Sequence, residues 1–102
     1  MRRGEIWWAE PPDERPRPVL ILSRDRAIGV MERLLAAPVT TTVRGLPTEV
    51  PLGLRDGLPV ACVVSLDDMA PLAKDYLVER ITTLSVDRMA EVARALRRAT
   101  GC

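Results

Sequence analysis

Arg17-Pro18-Val19-Leu20-Ile21-Leu22-Ser23 is the stretch from which the rest of the chain is read. Its middle, Val19 to Ser23 (VLILS), is a continuous apolar run closed by a Ser, without the polar alternation that marks a solvent side, and it predicts a strand buried on both faces. Such a strand needs neighbours, and they can be read outward. Upstream, Glu5 to Glu10 (EIWWAE) is short and aromatic-rich and is stopped by Pro11 and Pro12, as a strand is. Downstream, Asp25 to Glu32 is a short helix or an irregular excursion, weakened as a helix by Gly29. Leu34 to Thr42 (LLAAPVTTT) reads as a strand with Pro38 at a bulge or edge. Gly45 and Pro47 mark a turn before a probable edge strand over Thr48 to Leu52, and Arg55-Asp56-Gly57 marks another. Val60 to Leu66 is the next core strand, Ala70 to Leu77 suggests one helical turn, and Val78 to Thr82 is a last short strand.

The C-terminal segment is the clearest helix. Ser85 can cap it, Asp87 sits in the first turn, Arg94, Arg97 and Arg98 crowd the last turns, and Gly101 follows as a stop. Val86, Met89, Ala93, Leu96 and Thr100 form a stripe at i, i+3 and i+4 spacing that is expected to pack on the sheet. Five or six short strands and one terminal helix predict a mainly β (α+β) fold, a small curved sheet or half-open barrel, in one domain over residues 1–102.

Composition narrows the chemistry. The 102 residues carry fifteen Lys plus Arg against fourteen Asp plus Glu, a net +1 that argues against a chain held on nucleic acid by bulk charge. All the cations except Lys74 are Arg, so any anion site would be built from planar, always-protonated forks. With no His, imidazole acid–base catalysis, Cys/His zinc sites and Ser-His-Asp triads are excluded. Cys62 and Cys102 do not form a metal-ligand spacing, and a reduced compartment is the simpler reading. No run is long enough to span a bilayer, and Glu5 and Glu10 interrupt any signal-like core, so a cytoplasmic protein with no membrane partner is expected.

Two segments hold the polar residues of interest. Arg17 stands just before the buried strand, its stem fixed by Pro18, and is either a solvated loop residue among Arg15, Arg24 and Arg26 or a preorganised donor fork for a phosphate. Ala37-Pro38-Val39-Thr40-Thr41-Thr42 places Thr40 and Thr42 on one side of a strand end, where a hydroxyl can donate to a phosphate or simply express the β-propensity of Thr.

In order and spacing these segments resemble the MazF/PemK-type endoribonuclease toxins of bacterial toxin–antitoxin pairs. Arg3-Gly4-Glu5-Ile6-Trp7-Trp8-Ala9 looks like the family's first strand and Arg17 to Ser23 its R-P-V-L-V-x-S motif. Ala37-Pro38-Val39-Thr40 resembles its third-strand end, Leu46 to Val50 its following hairpin, and Ile81 to Ser85 its approach to the last helix. The resemblance implies a small SH3-like half-open barrel of the MazF/CcdB kind that forms a homodimer and cuts single-stranded RNA at short sequences. It also implies that no metal or other cofactor is needed and that a cognate antitoxin neutralises the chain.

The resemblance further implies that Arg17 and Thr40 are the catalytic pair. Arg17 would stabilise the charge that develops as a ribose 2′-OH attacks its neighbouring phosphorus, and Thr40 would orient the phosphate or assist the leaving oxygen. The products would be a 2′,3′-cyclic phosphate and a 5′-hydroxyl. Glu5 is either a general base or a strand-end carboxylate, and Ser23 either contacts RNA or ends its strand. Ile6 and Trp8 are expected to face inward, leaving Trp7 for base stacking or a dimer contact. Arg24 and Thr42 complete the candidate RNA-binding set. The alternatives are a CcdB-like toxin that binds gyrase through the end of the C-terminal helix without chemistry, and a decayed toxin that only binds its antitoxin. Two departures from the family pattern stand out: the first loop is only Pro11 to Arg17, without a Gly-Ser-Glu element, and Asp67-Asp68, read as solvated turn residues, occupies a place often polar or basic.

Overall fold

The structure, a computed structural model, describes residues 1–101, so Cys102 lies outside the described residues. Strand β2 (Arg17–Ile21) sits inside the sheet. On one side it pairs antiparallel with β1 (Glu5–Ala9), Ile6 opposite Leu20, and on the other with β3 (Arg33–Thr40), Val19 opposite Pro38 and Ile21 opposite Ala36. Alternation along the strand then divides its side chains. Leu20 and, just beyond the strand, Leu22 enter the main core with Ile6, Val64, Leu66 and Val92. Val19 and Ile21 enter a second cluster with Ala9, Leu34, Ala36 and Leu77. The apolar run is continuous because both of its faces are covered.

The remaining strands, β4 (Glu49–Leu52), β5 (Cys62–Ser65), β6 (Ala70–Ala73) and β7 (Leu77–Thr83), complete one seven-stranded sheet in the order β4-β5-β3-β2-β1-β7, with β6 on β3. Every pairing is antiparallel. Strand β3 joins the two parts. Its first half pairs with β6 over Arg33 to Ala36 and its end pairs with β5 at Val39 and Thr40. Pro38, which has no N–H to offer, sits where that edge changes partner, as expected for a bulge or edge position. The short helix α1 (Asp25–Ile28) caps the second cluster with Ile28.

Three expectations about the sheet change. Ala70 to Leu77 is not one helical turn but strand β6 followed by a single 3-10 turn over Lys74–Tyr76. The edge of β3 supplies backbone partners there that local propensity cannot reveal. Trp7 is not an outward ring: it is half-buried against the second cluster, and its Nε1 donates to Glu5 Oε1 at 2.9 Å. Trp8 lies outside both clusters, half-buried, with Nε1 donating to Glu10 Oε2 at 3.1 Å. The face opposite Ile6 is a second core rather than solvent, and that reverses the expected roles of the two rings.

Helix α2 (Val86–Thr100) begins as expected, with Ser85 Oγ accepting the Arg88 N–H at 3.1 Å, and ends at Gly101 in the left-handed region. Its inward stripe is rotated from the expected one. Val92 and Ala95 are buried, with Met89, Leu96 and Ala99 packed beside them, while Val86 is 87% exposed. The rotation is pinned by Arg88, whose Nε donates to Asp56 Oδ1 at 2.9 Å in the β4–β5 connection. The same connection is tied to β7, where Thr82 Oγ1 donates to the Asp56 carbonyl. Gly57, at φ +90°, passes so close to the Thr82 side chain that no Cβ fits there. No helix among the described residues is long and apolar enough to cross a membrane.

Val92→Ala removes two fully buried methyl groups and is expected to cost about 1.5–2 kcal/mol. That lowers the thermal midpoint by about 10 °C. Val86→Ala should move it by less than about 2 °C. Calorimetry on the two variants checks which stripe faces the core.

Candidate active site

The β2–β3 register determines what lies at the open end of these strands. Val19 faces Pro38 and Leu20 faces Ala37, so the same register extended by two residues sets Arg17 opposite Thr40. Both residues line one cleft of about 730 Å³, together with Arg15, Thr42, Arg44 and Asp68. That volume falls in the range of small-molecule sites. Arg17 keeps about 40% of its side chain exposed, and its Nη2 donates to Glu14 Oε1 at 3.2 Å, so a carboxylate from the β1–β2 turn orients the fork. Thr40 Oγ1 accepts the Thr42 N–H at 3.1 Å, which leaves its own O–H to donate.

A second guanidinium reaches the same cleft. Arg44 Nη2 donates to Asp68 Oδ2 at 3.0 Å and to Ser65 Oγ at 3.2 Å, while Ser65 Oγ donates to the same Asp68 oxygen at 2.8 Å. Its Nε lies 3.5 Å from Glu49 Oε2. Glu49 organises the loop that carries Arg44: its carboxylate accepts the N–H groups of Arg44, Gly45 and Leu46 at 2.8–3.2 Å. Burial works against the charge on Glu49, and the hydrogen bonds from Leu46, Arg44 and Gly45 outweigh it, holding the carboxyl below the ordinary range. Sequence reasoning missed Arg44, Glu49, Ser65 and Asp68 as a unit. The signal was faint: a Glu two residues beyond Pro47 in a Gly-Leu-Pro turn, and an acidic pair after a core strand.

Asp67 and Asp68 are therefore not simply solvated turn residues. Asp68 holds Arg44, and Asp67 accepts Thr48 Oγ1–H at 2.5 Å.

Four of the five predicted RNA-binding residues stand elsewhere. Arg17 pairs with Ala9 at one end of β1, whereas Glu5 pairs with Thr83 at the other. Glu5 is buried and accepts from the Arg2 N–H, Trp7 Nε1 and Arg80. Burial opposes its charge, but the bonds from Trp7 and Arg2, the N-terminal amine and Arg80 together hold its carboxyl below the ordinary value. Among the two readings of Glu5, the strand-end carboxylate is the one that fits. Ser23 follows β2 at the end away from Arg17, about 20 Å along an extended strand, and its Oγ accepts the Leu35 N–H at 2.8 Å. Arg24, exposed, begins α1 at that same end. Trp7 is engaged with Glu5. Thr42 alone of this set lines the cleft.

A family model of the PemK-like, MazF-like toxin of type II toxin-antitoxin systems matches residues 2–100. The chain belongs to this family. It is 43% identical over 101 residues to the probable endoribonuclease MazF5 of Mycobacterium tuberculosis, covering 98% of this chain and 93% of that relative. It also resembles the solved Mycobacterium tuberculosis toxin MazF-mt6, with a TM-score of 0.88 at 35% identity over 95% of this chain and 96% of that one. A mycobacterial endoribonuclease solved in complex with its cognate antitoxin superposes with a TM-score of 0.88 at 28% identity, over 99% of this chain and 95% of the other. The seven-stranded sheet with its C-terminal helix is thus the PemK/MazF toxin fold, mainly β and not closed. Among the described residues, no group of three or more His, Cys, Asp or Glu side chains gathers as a metal site.

Because the folded pKa of Glu49 is depressed, its contribution to stability is complete above the ordinary glutamate value of about 4.3 and is lost as pH falls through the lower folded value. Glu49→Gln is expected to lower the thermal midpoint at neutral pH and to flatten its decline between about pH 5 and pH 3. Melting curves across that range check the direction.

Proposed function

We propose that this PemK/MazF-family chain is an endoribonuclease toxin that cleaves single-stranded RNA by transesterification without a metal ion, and that a cognate antitoxin neutralises it. The observation that carries the reading is the meeting of a half-exposed guanidinium, Arg17, and a free hydroxyl donor, Thr40, in one cleft at the open end of β2 and β3. The relatives bear the name endoribonuclease, and one solved neighbour is bound to its antitoxin.

The step uses no water as nucleophile and no oxidant. The ribose 2′-oxygen bonds to the adjacent phosphorus as the P–O5′ bond breaks, leaving a 2′,3′-cyclic phosphate on one product and a 5′-hydroxyl on the other. The proton leaving the 2′-OH goes to a carboxylate, and Glu14, bonded to Arg17, takes the role in place of Glu5. Arg17 stabilises the charge on the non-bridging oxygens of the pentacovalent state. The Thr40 O–H donates to the departing 5′-oxygen, which takes its proton from solvent.

Arg15, Arg17 and Arg44 also give the cleft the cations that an acidic antitoxin segment would neutralise. The working unit is a homodimer acting in the cytoplasm.

Incubating the purified chain with labelled single-stranded RNA in EDTA, followed by end mapping, tests the reading. Cleavage with cyclic-phosphate and 5′-hydroxyl ends is expected, and Arg17→Ala or Thr40→Ala should each slow it by ~10²–10³-fold. Rising salt should weaken it, since each phosphate contact contributes about 0.7 to the logarithmic slope for single strands. RNA left intact by stoichiometric protein overturns the assignment.

A further inference from the structure

A small apolar pit adjoins the cleft and shares Arg17, Pro38 and Asp68 with it. Its floor is made of buried side chains from four strands, Ala9, Val19, Ala36 and the half-buried Leu72, and its volume is about 100 Å³. One water needs roughly 10–15 Å³ on the same measure, so the pit has room for part of a flat ring. An apolar floor beside a phosphate-binding fork is what a nucleobase needs when its own backbone phosphate sits on that fork.

The polar atoms at the mouth give the pit a chemical preference. Asp68 Oδ2 is occupied by Arg44 and Ser65, whereas Oδ1 accepts no hydrogen bond among the described residues, and the side chain is about half exposed. An ionised carboxylate only accepts. The Arg44 and Ser65 bonds fix its plane, so the vacant oxygen is a preorganised acceptor. Guanine, adenine and cytosine each offer an exocyclic amine to such an oxygen. Uracil offers a single N–H between two carbonyl oxygens that the carboxylate repels.

Resting on the ribonuclease reading above, we propose that the pit is a nucleobase subsite and that Asp68 sets its specificity, admitting an amine-bearing base and rejecting uracil. Arg44 and Ser65 act here as positioning residues, through Asp68.

The test uses the full chain and two probes: 2′-deoxy-substituted RNA hexamers, which bind but cannot be cut, and their all-ribose counterparts. Each position is varied through the four bases and an abasic unit. One position is expected at which uracil weakens binding about ten- to a hundredfold relative to an amine-bearing base. Asp68→Asn, which keeps an acceptor for Arg44 but adds a donor, should erase that difference at that position alone. Ala70→Phe, at an exposed position that also lines the pit, should remove the abasic penalty there and leaves the carboxylate untouched. Melting curves confirm that both variants fold.

An identical base profile for the parent and Asp68→Asn overturns the inference, as does a parent that accepts uracil everywhere or binds no hexamer. Cleavage with a flat profile removes this subsite and leaves the nuclease reading standing. A biased binding profile without cleavage does the reverse.

Discussion

The antiparallel register between β2 and β3 is the constraint on which the rest depends. Val19 opposite Pro38 is a backbone statement, but it decides which side chain stands opposite Thr40. A slip of one residue would turn Leu20 out of the main core and Val19 out of the second, reversing the faces of a strand covered on both sides. The two clusters therefore lock the pairing from opposite faces, and the site at its open end inherits that rigidity. Core and chemistry share the same two strands, so a site built from loop-edge residues is nonetheless held by sheet geometry.

Electrostatics sets the second layer. Each exposed guanidinium known to bond in the cleft is oriented by a carboxylate, Arg17 by Glu14 and Arg44 by Asp68 and Glu49. Exposed ion pairs of this kind add little to stability. Their consequence is orientation: they hold long, flexible side chains in place. They also keep the cleft from being uniformly positive, in accord with a chain of net charge +1. Discrimination then has to come from shape and hydrogen bonding, because attraction to any polyanion is tempered by the acids already present.

Much of this was legible in the sequence, and what was legible had a local cause. The VLILS run, the Pro-stopped first strand, Pro38 at a change of partner, and the Ser85–Gly101 bounds of the last helix all follow from rules acting over a few residues. The Arg17–Thr40 juxtaposition was reached by family resemblance, and the register gives its physical reason. What escaped were effects of distant partners. Strand β6 exists because β3 offers a free edge, and the face of α2 is chosen by Arg88 reaching Asp56, thirty-two residues away in the chain. Trp7 and Trp8 were misjudged for the same reason, since a second core is invisible to alternation alone.

The misplaced Glu5 shows how chemistry and scaffold divide the acids of this chain. Glu5, Glu49 and Asp56 are largely withdrawn from solvent, each bonded to backbone N–H groups as well as to Arg, and each is held below its ordinary pKa. Their lone pairs are spent on fixing the N-terminus, the β3–β4 loop and the β4–β5 connection. A carboxylate so satisfied is a poor proton acceptor, because each bond that stabilises its charge lowers its basicity. Glu14 and Asp68 each keep more than half of the side chain exposed, and each faces an Arg of the cleft. Exposure and partial satisfaction, rather than position along the first strand, are what separate the acids that line the cleft and its adjoining pit from those that hold the walls around them.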